Sequence, residues 1–365
     1  MHYDDGPGAD ARARLRNGVQ ALTLDGRVAA GWRTTLRASR SQDDYDTVAS
    51  ASPYADLGTI STTERRLTWE NALDAGPVGT AVGVIEHVSQ DVAKPGAAYD
   101  VGSRTIDSAA LALNGAAGPH VWQASIRRDR NSEFGRLTTG GLGYALHLGA
   151  AWQLGASYGT SFVAPSFNQL YYPGYGNPGL QPERGHATEL HARWAEGDQS
   201  LRLTAFRQRM RGYITTGENP VNVARASIDG LTLAWERQWS AVTANLAVDH
   251  LTPRNDVDGT PLVRRARNDA KAAVDWRLDD RASVGATWTA YSTRRDVGGY
   301  DANFAPTYVT LGAYATLDLR ADWRLARAWS LGVRLNNVTG KVYETAYGYN
   351  QPRREGYVVL SWRPR

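Results

Sequence analysis

Apolar residues recur at every second position through most of this chain. Leu317, Leu319, Ala321, Trp323 and Leu325 alternate with Asp318, Arg320, Asp322 and Arg324. Ala272, Val274, Trp276 and Leu278 do the same against Asp275, Arg277 and Asp279, as do Leu190, Ala192 and Trp194 against Glu189, His191 and Arg193. Successive side chains of a strand point to opposite faces, so each such segment has one apolar and one charged face. The period predicts about seventeen strands and no helix. They run over 13–24, 31–41, 62–74, 79–93, 103–116, 119–134, 136–150, 152–164, 184–196, 199–215, 222–239, 241–252, 262–278, 281–294, 310–325, 328–340 and 353–364. Many are longer than the roughly 5–6 residues of a globular strand. They match the roughly 9–11 residues that cross a bilayer at a tilt.

The connections alternate as well. Short ones fall at 74–79, 114–119, 147–151, 195–199, 279–282 and 326–328, and long ones at 41–61, 161–183, 252–262, 296–308 and 341–352. Eleven of the twelve Trp, all but Trp288, lie near a short connection or the C-terminus, whereas many Tyr lie at the opposite strand ends or in long loops. Two aromatic girdles at opposite strand ends are what two membrane interfaces select. The expectation is an all-β protein, an antiparallel transmembrane β-barrel with short turns on one side of the membrane and long loops on the other.

Composition narrows the chemistry. There are no Cys, which removes thiol metal sites, redox chemistry and disulfides. The net charge of +4 comes from basic residues interspersed with acidic ones, so no nucleic-acid-binding stripe is expected. No apolar run has the length of a transmembrane helix, and residues 1–20 lack the apolar region of a signal peptide. Those two features alone would suggest a soluble cytoplasmic chain. The strand pattern overrides them.

The segment from Tyr158 to Glu183, rich in Pro, Gly, Asn and Tyr, is the most distinctive connection. Its Ala164-Pro165, Phe167-Asn168, Leu170-Tyr171-Tyr172, Asn177-Pro178 and Leu180-to-Glu183 run resembles the TonB-dependent outer-membrane receptors, in particular their cobalamin-transporter branch. Val221-Asn222-Val223, Gly230-Leu231, Arg264-Arg265-Ala266-Arg267, Asn336-Asn337-Val338 and Tyr343 to Pro352 are similar to that branch too, so the resemblance runs from about Arg65 onward. It implies a 22-stranded barrel in the outer membrane of a Gram-negative bacterium, a plug domain inside it, and a TonB complex acting through the plug. It implies a bound cobalamin or other large chelate, contact with outer-membrane lipid, and insertion by the barrel-assembly machinery. Residues 1–365 then read as the barrel domain alone, N-terminally truncated, with neither plug nor signal peptide. The family's terminal aromatic is followed here by Arg-Pro-Arg after Trp362.

Candidate ligand contacts are Phe167, Asn168, Tyr171, Tyr172, Tyr175 and Asn177 in the long loop, with Tyr347 and Tyr349 near the end of the chain. Flat apolar rings with hydroxyl tips suit a large amphipathic ligand. The same Tyr residues could equally form the outer girdle. No covalent cofactor is expected. Asp4 with Asp5, and Asp43, Asp44 and Asp46, are acidic clusters that could hold calcium, although a solvated charged loop accounts for them as well. Asp256-Val257-Asp258-Gly259 lacks the bidentate Glu of a calcium loop. Gly155-Ala156-Ser157-Tyr158-Gly159 fits the nucleophile-elbow pattern but lies within a strand, where the elbow's strand-to-helix turn cannot form. The seven His show no metal-ligand spacing. The expected function is therefore not enzymatic: a receptor barrel for active uptake of cobalamin or a related corrinoid. The alternatives are a siderophore receptor and a non-transporting structural fragment.

Overall fold

The computed structural model describes residues 2–4, 10–50, 57–174, 176–214, 220–303 and 305–363. In chain order the elements are β1 (His2–Asp4), β2 (Asp10–Ala29), β3 (Trp32–Ser50), β4 (Gly58–Asp74), β5 (Thr80–Ala93), β6 (Ser103–Ala117), β7 (His120–Asn131), β8 (Gly135–Leu148) and β9 (Trp152–Val163). The helix α1 (Phe167–Tyr171) follows, then β10 (Glu183–Glu196), β11 (Gln199–Ile214), β12 (Asn222–Gln238), β13 (Val242–Asn255), β14 (Asn268–Arg277) and β15 (Ala282–Tyr291). The last are β16 (Arg294–Tyr300), β17 (Pro306–Leu311), β18 (Tyr314–Arg324), β19 (Trp329–Asn336), β20 (Glu344–Ala346), β21 (Tyr349–Asn350) and β22 (Glu355–Trp362). One antiparallel sheet holds 18 of these strands, and β16–β17 and β20–β21 are separate hairpins. Every strand read from the two-residue period has its counterpart in the large sheet.

Two compact units divide the chain. Residues 1–146, 155–188 and 208–226 make the first, and 147–154, 189–207 and 227–365 the second. In the first, register sets Leu73, Ala81, Leu113, Ala124 and Leu142 in one row across β4 to β8. In the second, Trp276, Val284, Ala321, Val333 and Val358 form a row across β14, β15, β18, β19 and β22. These apolar faces are open: Leu142 is 64 % exposed, Trp276 51 % and Val358 71 %. A water-soluble sheet hides its apolar face, so rows this exposed imply an apolar solvent.

The opposite faces carry charge, and the charges are paired. In the first unit Glu86, only 8 % exposed, accepts from Arg66 Nη1 at 3.0 Å, Arg127 Nη2 at 2.8 Å and Thr68 Oγ1 at 3.1 Å. Arg127 also reaches the buried Asp129 at 2.9 Å, which takes the Ser108 hydroxyl at 2.6 Å. In the second unit Arg320 Nε donates to Asp275 at 2.8 Å and Arg334 meets Asp322 at 3.0 Å. Gly285 stands between Asp275 and Arg320 in the ladder, where a Cβ would come within 2.6 Å of both side chains. The bare glycine is what lets that ion pair close.

Three expectations are corrected. Residues 41–50 belong to β3 rather than to a long loop, so Asp43, Asp44 and Asp46 are strand residues paired with Thr62, Ser61 and Thr59 of β4. The stretch 262–267 is not strand: Arg264 has φ 58°, in the left-handed region where an extended strand cannot continue. The chain expected to be free of helix has a short α-helix, α1, inside its most distinctive loop, and a 3-10 turn at Gly76–Val78.

Candidate functional site

The long connection after β9 builds its own small fold. Ser166 caps α1: its Oγ accepts Gln169 N–H at 3.2 Å, and Gln169 Oε1 accepts Ser166 N–H at 2.8 Å. That reciprocal box satisfies donors that a helix start leaves open. The helix stops before Pro173, because the residue preceding a proline is pushed out of the helical region. Gly176 then folds back under the helix, and a Cβ there would lie 2.4 Å from the Leu170 carbonyl oxygen. Its N–H donates to Tyr172 O at 2.8 Å, and Asn177 N–H reaches Gln169 O at 2.8 Å.

One side of α1 is apolar and shut away. Leu170 and Leu180 are each 1 % exposed and pack with Ile214, Phe134 and Tyr171. Phe167 is buried, with the Arg104 guanidinium 4.8 Å from its ring centre. Arg104 Nη1 also donates to Pro165 O at 2.9 Å and lies 3.4 Å from Glu133. Glu133 accepts the Tyr171 hydroxyl at 2.5 Å. Arg104 Nε reaches Gln90 at 2.7 Å, Gln90 reaches Glu64 at 2.8 Å, and Glu64 pairs with Arg66 at 2.9 Å. An unbroken run of polar contacts therefore links the loop helix to Glu86 on the strand wall. Farther along the loop, Asn177 Nδ2 donates to Pro220 O at 2.9 Å, and Asn222 exchanges bonds with both Gln181 N and O.

Of the sequence-derived candidates, the structure gathers Phe167, Asn168, Tyr171, Tyr172 and Asn177 in this one loop. Phe167, Tyr171 and Asn177 spend their polar or apolar surface inside it. Asn168 is exposed and accepts the Tyr99 hydroxyl at 2.5 Å, and Tyr99 meets the Tyr172 ring edge-on with centroids 6.3 Å apart. Tyr99, Asn168 and Tyr172 thus form the polar, aromatic outer side of the platform. Tyr175 and Asp5 lie outside the described residues. Tyr347 and Tyr349 belong to the second unit, where Tyr347 N–H donates to the fully buried Asp296 at 2.7 Å. Asp296 also takes Arg264 Nε at 2.9 Å and thereby ties the β20–β21 hairpin to the 262–267 stretch. Beside it the Tyr314 and Tyr343 rings stack at 4.2 Å, with the Arg294 guanidinium 5.2 Å from the Tyr314 ring.

Asp4 lies in β1. Asp44 and Asp46 share one face of β3 opposite Arg16 and Arg14, while Asp43 points to the other face. Among the described residues no group of three His, Cys, Asp or Glu side chains could hold a metal ion. Ser157 sits in mid-β9, with no strand-to-helix turn. Glu133, Arg104 and Tyr99 were not singled out from the sequence as site residues. They meet α1 only through strand register and loop packing. The one readable local signal was the Ser166–Gln169 cap.

Glu133 raises the Tyr171 phenol to a pKa of about 12, mainly through the hydrogen bond it accepts and secondarily through burial. The folded value lies above the unfolded one, so this bond's contribution is full below pH 10 and is lost as pH rises through about 12. Ultraviolet titration should show tyrosine ionisation extending to about pH 12, and Tyr171→Phe should reduce that late phase by one tyrosine. An unchanged titration curve in the variant would contradict the assignment.

A model of the family described as "TonB dependent receptor-like, beta-barrel" matches residues 2–338. This chain belongs to that family. Among curated proteins it is similar to the vitamin B12 transporter BtuB of Vibrio vulnificus (strain YJ016), with 30 % identity over 232 residues. That match takes in 62 % of this chain and 36 % of the transporter. Among solved structures it is similar to a mutant of the ferric enterobactin receptor PfeA of Pseudomonas aeruginosa, with TM-score 0.82 and 18 % identity, over 97 % of this chain and 62 % of that one. The siderophore receptor PirA of Acinetobacter baumannii gives TM-score 0.80 and 16 % identity, over 96 % of this chain and 62 % of that one. At such identities the structural likeness shows the fold alone. The chain spans less than two thirds of the length of each of these proteins. TonB-dependent receptor barrels are outer-membrane proteins, and the exposed apolar rows and paired polar faces are those such a barrel needs.

Proposed function

We propose that this chain is the barrel part of an outer-membrane importer for a corrinoid of the cobalamin class, driven through a TonB complex. The observation that carries the reading is the loop platform. Its backbone is locked by its own cap and apolar core, so Tyr172, Tyr99 and Asn168 are held in place before any ligand arrives. A preorganised aromatic and amide surface suits a large, flat, amphipathic ligand, since little ordering entropy remains to be lost on binding. The similarity to a vitamin B12 transporter supports the corrinoid over other large chelates. The barrel supplies wall and loops and performs no covalent step.

The second reading is a siderophore importer. It is favoured by the arginine and tyrosine cluster around Arg294, Tyr314 and Tyr343, which suits an anionic, catechol-like chelate. Titration of the protein with cyanocobalamin and, separately, with a ferric catecholate separates the two. On the corrinoid reading cyanocobalamin binds, and Tyr172→Ala weakens it about tenfold, the cost of roughly one lost aromatic contact. Binding of the ferric complex with none of the corrinoid would replace the first reading by the second.

A further inference from the structure

We infer that Asn168 determines specificity in the loop platform by turning its amide N–H groups outward, toward a carbonyl oxygen on the rim of the ligand. Tyr99 is the positioning residue that fixes this polarity. Both roles rest on the corrinoid reading given above. An asparagine amide has two unlike ends, one accepting and one donating, and reversing it inverts what it recognises. Here the distance decides between them. Tyr99 Oη lies 2.5 Å from the oxygen end of Asn168. That separation suits an O–H···O bond and is shorter than an N–H···O bond reaches, roughly 2.7–3.2 Å. The phenol therefore donates to Oδ1, and Nδ2 is left at the other end. Among the described residues nothing accepts from Nδ2.

Tyr99 is itself held. It stands in the connection between β5 and β6, and its ring meets that of Tyr172 edge-on, at 89°. Tyr172 N–H donates to Asn168 O at 3.3 Å, so the last turn of α1 carries through to Tyr172. Residues four apart on a helix are neighbours on one face. Asn168 and Tyr172 therefore stand side by side, while Phe167 and Leu170 take the buried face. Other amides of the loop are committed to folding it. Asn177 gives Nδ2 to Pro220 O at 2.9 Å and accepts Gly179 N–H at 3.0 Å, and Gln169 Oε1 belongs to the cap. Asn168 is exposed, and its one side-chain partner comes from another connection.

An amide donor beside an aromatic ring suits a flat ligand whose rim carries carbonyl oxygens. The apolar part of such a ligand covers Tyr172, and a rim oxygen falls on Nδ2, about 5–6 Å along the helix face. A corrin ring is bordered by primary amide arms, which offer such oxygens. With the amide reversed, the same platform would call for an N–H donor on the ligand instead. The hydroxyl of Tyr99 thus sets the sign of the recognition without touching the ligand's oxygen itself.

The test is equilibrium titration of the whole protein in detergent with cyanocobalamin, for the original and for Asn168→Ala, Asn168→Asp and Tyr99→Phe. Asn168→Asp is isosteric: Tyr99 can still donate to it, and only the outward donor is exchanged for an acceptor. Asn168→Ala should weaken binding up to about tenfold, the effect of one lost hydrogen bond. Asn168→Asp should weaken it further, because an acceptor then meets an acceptor, and the loss should persist at about 1 M salt, where charge acts over only about 3 Å. Tyr99→Phe keeps the ring against Tyr172 but frees the amide to turn. It should weaken binding about threefold alone and not at all in an Asn168→Ala background, since the two residues act through one bond. Asn168→Asp binding as tightly as the original would overturn the assignment. So would a Tyr99→Phe loss that is the same with and without Asn168, which marks a purely structural tyrosine. All variants should keep the heat-modifiable band on gels that reports folding, and its loss would make Asn168 a structural residue. An original protein that binds no cyanocobalamin would defeat the corrinoid reading and this assignment together, whereas a wrong order among the variants defeats the assignment alone.

Discussion

Glu86→Leu should lower the unfolding free energy by about 2–4 kcal/mol, measured by urea titration in micelles. Removing one partner of a buried ion pair costs roughly 3–5 kcal/mol, because the opposite charge is left desolvated and alone. Here the carboxylate is buried but Arg66 and Arg127 each keep about a third or more of their side chains in solvent, which softens the loss. Glu86→Gln should cost less, since its amide oxygen can still accept from the arginines and from Thr68. If the two substitutions proved equally harmless, Glu86 would be a solvated surface charge and not the hub that its four-strand setting makes it. The effect should also reach the loop, because the polar run from Glu86 ends at the Tyr171 hydroxyl.

Leu170→Ala is the second large effect, and it should be local. Emptying a fully buried leucine site costs about 2–5 kcal/mol, with the high end where the surroundings cannot collapse into the space. The core beneath α1 has few other members, Leu180 and Ile214 with Phe134 and Tyr171 beside them. A loss of that size exceeds what so small a cluster can spare. The loop should therefore open while the strands stay paired. Limited proteolysis should cut within 163–183 in the variant and leave the original intact there, with both proteins keeping the folded, heat-modifiable form. On the corrinoid reading, cyanocobalamin affinity should fall with the loop. A variant that resists the protease and binds as before would show that the platform does not depend on its core.

The strands were legible because one physical demand, an apolar face against lipid and a polar face away from it, acts on every second residue. Where that demand ends, so does the signal. Beyond Arg40, β3 runs through Gln42, Asp43, Asp44 and Asp46, polar on both faces, yet its backbone stays laddered to β2 and β4. A ladder of main-chain bonds leaves no mark on composition, so this stretch looked like a loop. The reverse happened at 262–267, where Leu262 and Val263 extended an apparent strand that Arg264 breaks with its backbone alone. The helix α1 is too short for a 3.6-residue period to emerge, although its cap was written at Ser166 and Gln169. The site was half legible. The tyrosines and asparagines of the loop stand out by type. Which of them build the platform and which face outward depends on Glu133, Arg104 and Tyr99, which come to the loop from other strands and loops.

The alternation that gives each strand two unlike faces also governs how the chain travels before it folds. A continuous apolar helix is recognised by the cytoplasmic membrane and held there. Here apolar and polar residues alternate along many strands, and the mean hydropathy is −0.45. No helix is long and apolar enough to cross a membrane among the described residues. The greasy rows come into being only when neighbouring strands zip together in register. Until then the chain offers no continuous apolar surface, and it presents one to lipid only once its strands are paired.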